Sequence, residues 1–161
     1  MKRYLLPLIL LSAFALLAIA IVVDCVRLAG DARGRLDTAD GELQKHEERL
    51  VTLLAASPQV TPQVKDAIAA YRAANDLQAR HAAYQQVVAS FRQTMNGAAD
   101  ATNPLDRKFM DDTAGAINRR EIAEKPYDEE SAAYQAYLAS WRGTIARMIS
   151  PAARADAKSS T

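Results

Sequence analysis

Apolar positions along the chain follow two patterns. Residues Tyr4 to Val23 form an uncharged run of 20, YLLPLILLSAFALLAIAIVV, with Ser12 as its one polar residue. At about 1.5 Å per residue a helix of that length spans roughly 30 Å, the thickness of a bilayer's hydrocarbon core. Such a helix can return the Ser12 hydroxyl to its own backbone. Pro7 falls in the first turn, where a missing N–H costs little. Beyond Asp24 the apolar residues instead recur every three or four positions, the period of an amphipathic helix.

That period predicts three helical segments. The first, 35–56, carries Leu36, Leu43, Leu50, Leu53 and Leu54. Gly30, Gly34 and Gly41 weaken its membrane-proximal part and predict a bend or loose joint there. The second, 62–96, has the clearest pattern: Val64, Ile68, Tyr71, Ala74, Leu77, His81, Tyr84, Val88, Phe91 and Met95. This is the spacing of a coiled-coil seam that faces other helices, within the chain or on a second copy. The third, 105–149, carries Leu105, Phe109, Thr113, Ile117, Ala123, Tyr127, Tyr134, Leu138, Trp141, Ile145 and Met148. Pro126 interrupts it at a cost of about 3 kcal/mol in a regular helix. The apolar spacing continues across Pro126, which favours a kink over a break.

The junctions carry their own signals. Ser57-Pro58-Gln59-Val60 and Thr61-Pro62-Gln63-Val64 each read as an N-cap followed by proline at the first helical position. Gly97 is a natural helix terminator, and Asn103-Pro104 is another cap-and-start pair. From Pro151 onward the chain is Ala, Ser and charge without an apolar stripe, which predicts a frayed end. The expected fold class is all-α: an N-terminal transmembrane helix followed by an antiparallel bundle of three long helices, four if the last breaks at Pro126. The expected segments are a basic tail (1–3), a transmembrane anchor (4–23), a juxtamembrane joint (24–34), the bundle (35–149) and a flexible tail (150–161).

Composition sharpens this picture. The chain of 161 residues holds 33 Ala against six Gly and six Pro, a helix-forming balance. From residue 24 onward there are 18 basic and 19 acidic residues, which argues against a nucleic-acid partner. A single Cys excludes an internal disulfide and a multi-cysteine zinc site. The apolar run admits three readings. A cleaved signal peptide would use Ala18-Ile19-Ala20, yet the run continues to Val23. A lipoprotein would use Cys25, yet Asp24 precedes it where a small residue is needed. An uncleaved single anchor fits the length. Lys2 and Arg3 lie closest to the span and favour a cytoplasmic N-terminus with the bundle in the periplasm; Arg27, Arg33 and Arg35 weigh against this.

The late residues Asn118-Arg119, Ala123, Lys125, Tyr127-Asp128-Glu129, Tyr134 and Trp141 resemble the signature of the LemA family. That signature has an Asn-Arg pair, a Tyr-Asn-Glu, a second Tyr seven residues on and an aromatic seven further. Here Asp128 replaces the Asn, and Tyr127, Tyr134 and Trp141 keep the sevenfold spacing. The resemblance covers about 35 to 40 residues and the anchor-then-bundle layout. The first soluble helix departs from the family, since Leu43 to Leu53 lacks the paired Arg and the Pro-Asn. The resemblance implies a membrane-anchored bacterial protein with a helical bundle and no catalytic residues to carry over. Read by packing alone, the three aromatics are a stripe on one helical face.

Candidate chemistry is sparse. Asp111-Asp112 and Asp128-Glu129-Glu130 lack the Glu-x-x-His pairs of a di-metal bundle and read as solvated faces. His81 is the polar residue of the seam, partly exposed or bonded to a neighbouring helix; His46, among Lys45, Glu47 and Glu48, reads as surface. Arg119-Arg120 and Arg142 with Arg147 would meet lipid phosphates if the last helix lay near the bilayer, while Glu121 and Glu124 favour ordinary solvated pairs. Glycine-rich phosphate loops and nucleophile motifs are absent. The expectation is a non-enzymatic, single-span protein of the bacterial inner membrane, without catalytic, metal or cofactor residues. Its partners are the bilayer, through residues 4–23, and a protein or second copy, through a helical face. The alternative is a membrane-tethered ligand sensor, disfavoured by a loose joint at Gly30 to Gly41.

Overall fold

The computed structural model describes residues 5–58, 60–98 and 104–159, with the side chains of 5–8, 95–98, 104–106 and 158–159 left aside. The expected Gly97 terminator lies in the last helical turn before Ala98, and Asn103 together with the Met95 and Leu105 side chains falls outside the described set. Six helices make up these residues: α1 (Leu5–Ala55), α2 (Pro62–Ala73), α3 (Leu77–Ala98), α4 (Pro104–Ala139), α5 (Trp141–Ile149) and α6 (Pro151–Ser159). The chain is all-α, with one N-terminal helix long and apolar enough to cross a membrane; its best 18-residue window has a mean hydropathy of 2.8.

α1 is one helix of 51 residues and stays helical through the expected joint at 24–34. Burial on both sides of the glycines accounts for this: Ala29 and Ala32 are buried, and so are Leu43, Leu50 and Leu54. The second expected helix is instead two. Asp76 ends the first attempt and starts the next, its Oδ1 accepting the Ala79 N–H at 2.7 Å as an N-cap for α3. The long seam therefore folds back on itself. Tyr71 of α2 meets Tyr84 of α3 edge-on at 6.4 Å, and Thr61 Oγ1 lies 3.3 Å from Thr94 Oγ1 at the open end of this antiparallel pair. Of the two Ser/Thr-Pro signals only Thr61-Pro62 starts a helix, and the Thr61 side chain makes no capping bond.

α4 runs unbroken through Pro126. The break comes at Ser140, whose Oγ accepts the Gly143 N–H at 3.1 Å and caps α5. The residues expected as a frayed tail form α6, held by burial of Ala153 and by Asp156, whose Oδ2 accepts the Tyr134 hydroxyl at 2.6 Å.

The chain divides into two compact units. Unit 1 contains residues 1–40 and 126–161. There α1 and α4 run antiparallel: Arg35 pairs with Glu130 at 3.2 Å, and the Tyr137 hydroxyl donates to the Cys25 carbonyl. Ala29, Ala32, Tyr134, Leu138, Ala146 and Ala153 form its core. Unit 2 contains residues 41–125, that is, the end of α1, all of α2 and α3, and the start of α4. Its core includes Leu50, Leu54, Val64, Ile68, Tyr84, Val87 and Phe91.

Two glycines separate tolerance from necessity. A Cβ on Gly34 would meet nothing within 4 Å, whereas one on Gly143 would lie 2.6 Å from Leu138 Cα and closer still to the Tyr137 carbonyl oxygen. Gly34→Ala should stabilise the chain by about 0.5–1 kcal/mol through helix propensity alone. Gly143→Ala should destabilise unit 1 by on the order of 2 kcal/mol, because α4 and α5 must separate. Thermal melts of the detergent-solubilised chain, followed by circular dichroism, should show shifts of opposite sign.

Candidate functional site

The most distinctive chemistry lies inside unit 2, on Glu47. Leu43, Glu47, Leu50 and Leu54 recur at steps of four, three and four, so they occupy one face of α1, and all four are fully buried. A carboxylate therefore stands in an apolar row. Burying an ionised group is costly unless partners meet it. Two guanidinium groups, an imidazole and a phenol converge on it. Arg120 of α4 places Nη2 at 3.4 Å from Oε1, and His81 of α3 places Nε2 at 3.5 Å from the same oxygen. Arg80 places Nε at 3.5 Å from Oε2, and the Tyr71 hydroxyl donates to Oε2 at 3.4 Å.

These distances are long for charge-assisted bonds, which cluster nearer 2.8 Å. Desolvation accordingly wins: burial pushes the Glu47 carboxyl above its ordinary value of 4.5, against the pull of Arg120 and Arg80. Burial also opposes the Arg120 charge. The hydrogen bond and charge of Glu124, with the charge of Glu47, outweigh it and hold the guanidinium above its ordinary range. The same guanidinium stacks over the Tyr84 ring at 5.0 Å. Tyr71 and Tyr84 are both raised, foremost by burial. The core holds more donors than one carboxylate can serve, and among the described residues Tyr84 Oη has no hydrogen-bond partner.

Beside this network α3 and α4 leave a cleft of about 440 Å³, lined by Phe91, Arg92, Met110, Ala114, Ile117, Asn118 and Glu121. Phe91 of α3 and Phe109 of α4 meet edge-on at 6.0 Å. Arg92 and Glu121 pair at 3.6 Å, linking the two helices at this cleft. Ile122, 65% exposed, lies one turn beyond Asn118.

His81 does contact a neighbouring helix, as one of its two expected readings had it. His46 is half-exposed, and Asp111 and Asp112 are exposed. Glu130 is partnered by Arg35. Among the described residues no group of three or more His, Cys, Asp or Glu is placed to hold a metal. Two expectations need correction. Arg120 is not a solvated cation but a core residue, 5% exposed. The three aromatics are not one stripe: Tyr134 is buried, Tyr127 is half-buried, and Trp141 is exposed on α5 beyond the Ser140 break. Glu47 was missed, although its place midway between Leu43 and Leu50 in the heptad marks it as a charge in a seam. The chain matches no family model, no curated protein and no solved structure.

The network makes unit 2 pH-sensitive with a definite sign. A raised folded-state carboxyl means that the folded chain binds the proton more tightly than the unfolded chain. Stability from protonated Glu47 is complete below about 4.5 and is lost as pH rises through the raised folded value. The groups facing it are Tyr71, Arg80, His81 and Arg120, with Glu124 behind Arg120. Glu47→Gln should flatten this slope in denaturant titrations across that range. Glu47→Ala, which takes the shared carboxylate away from buried Arg120 and half-buried Arg80, should cost roughly 3 kcal/mol at neutral pH.

Proposed function

We propose that this chain is a membrane-anchored helical-bundle protein of the bacterial cell envelope that works by protein–protein association, as a docking or scaffold module. The observation that carries this reading is α1. Its first part, from Ile9 to Val23, is apolar except for Ser12 and exposed except for half-buried Val22, and its last turns supply Leu50 and Leu54 to the core of unit 2. One helix thus provides both a lipid-facing anchor and a structural wall of the four-helix unit. The exposed Ile122, beside the apolar-lined cleft of α3 and α4, supplies a surface of the kind that receives a partner's side chains. The resemblance of residues 118–141 to the LemA family supports an anchored envelope protein, and Lys2 and Arg3 next to the span favour the bundle on the periplasmic side of the inner membrane.

A second reading, a membrane-tethered ligand sensor, gains from the same helix. The objection to it was a loose joint at Gly30 to Gly41, and α1 is helical throughout that stretch. A sensor would use the α3–α4 cleft as its pocket and α1 as the element that moves.

A photo-crosslinking residue at Ile122 in the full chain, expressed in cells, separates the two. The association reading expects a discrete protein adduct at Ile122 and none at Arg49, on the exposed side of α1. No adduct at Ile122, or at Met110 and Ala114 within the cleft, would sink it in favour of the sensor. Flotation with the membrane fraction and an intact N-terminus by sequencing are expected for an uncleaved anchor; a mature chain starting near Ile21 would refute that part.

A further inference from the structure

Unit 1 exposes large apolar side chains outside the N-terminal run. Trp141, Met148 and Ile149 of α5 are 61%, 70% and 51% exposed. At 3.6 residues per turn these positions, with half-buried Ile145, share one face of α5. Gly143 and Ala146, on the opposite face, are buried. Arg142 borders the apolar strip, and half-buried Arg147 lies beyond Thr144 on its other side. Arg142 lies over the Trp141 ring at 5.3 Å, and Arg147 reaches Thr144 Oγ1 at 3.2 Å. Among the described residues no carboxylate pairs with either guanidinium.

The position of α5 gives this strip a meaning. Tyr137, one turn before the Ser140 break, bonds the carbonyl of Cys25, two residues past the end of the apolar run at Val23. The α4–α5 turn therefore arrives where α1 leaves its apolar stretch. α6 leads away again: Asp156 meets Arg33 at 3.2 Å, further along α1. α5 is thus the part of unit 1 beside the membrane end of α1. An apolar strip with an interfacial Trp and flanking Arg residues fits the headgroup boundary of an anionic bilayer.

We propose that α5 rests on the surface of the bilayer that α1 crosses. Trp141, Met148 and Ile149 enter the headgroup–chain boundary, and Arg142 and Arg147 reach lipid phosphates. This rests on the anchor reading of residues 4–23. A second copy fits the strip less well, because pairing two such strips would bring unmatched Arg residues together.

Trp141 is the chain's one tryptophan, so its emission reports α5 alone. The full chain is reconstituted into vesicles of phosphatidylcholine and phosphatidylglycerol, with bromines placed near the headgroups or near the chain ends. The expected result is blue-shifted emission, quenched more by headgroup-proximal bromines and weakly by aqueous acrylamide. Removing phosphatidylglycerol should shift emission toward that of water-exposed tryptophan, and the double variant Arg142→Gln, Arg147→Gln should lose this lipid dependence. Water-like emission with no bromolipid quenching, in protein that floats with the vesicles, overturns the proposal and leaves the anchor standing. Shielding that grows with the protein-to-lipid ratio and ignores bromines overturns it in favour of a second copy. Failure to float overturns both readings.

Discussion

A backbone in hydrocarbon finds no solvent partner, so α1 must satisfy its own N–H and C=O groups across the apolar run. Having formed, it continues without a break to Ala55. Both compact units draw on this helix, unit 1 on the residues just past the apolar run and unit 2 on its last turns. Three glycines along the way each weaken a helix by about 1 kcal/mol relative to alanine. Packing offsets them, because buried alanines precede Gly34 and buried leucines follow Gly41. Helix propensity is a weak force beside tertiary burial, and α1 is a direct case of that ranking.

Unit 2 shows the opposite economy. Its apolar seams are interrupted at facing positions by Glu47, His81 and Arg120, the last two both meeting Glu47. Replacing such a network by well-packed apolar residues is often neutral or stabilising, so its presence argues for specificity of pairing more than for stability. A register slip in which Leu50 took the place of Glu47 would leave Arg120 facing an apolar side chain.

Period and punctuation made the helical class and the apolar anchor legible. The 3.5-residue spacing from Val64 to Phe91 correctly marked six residues that are now buried: Val64, Ile68, Tyr71, Tyr84, Val88 and Phe91. It did not reveal the turn at 74–76, because the spacing continues in phase across it, and only the capping power of Asp76 hinted at the fold-back. Pro126 drew attention away from the true break. An isolated proline can be carried by a long, packed helix, whereas Ser140 followed by Gly143 creates a cap and a close crossing that only glycine permits. Glu47 was hidden for another reason: among Lys45, His46 and Glu48 it reads as one more surface charge until the heptad places it inward.

Cys25 is the chain's single thiol, and it is 1% exposed, its carbonyl tied to Tyr137. A maleimide can therefore reach it only when α4 lifts from α1 at that point. Alkylation under native conditions would run at the pace of this local opening, or in proportion to its population when reclosing is fast. The protein thus carries a chemical clock in unit 1, read by mass without any engineered label, and blind to breathing elsewhere.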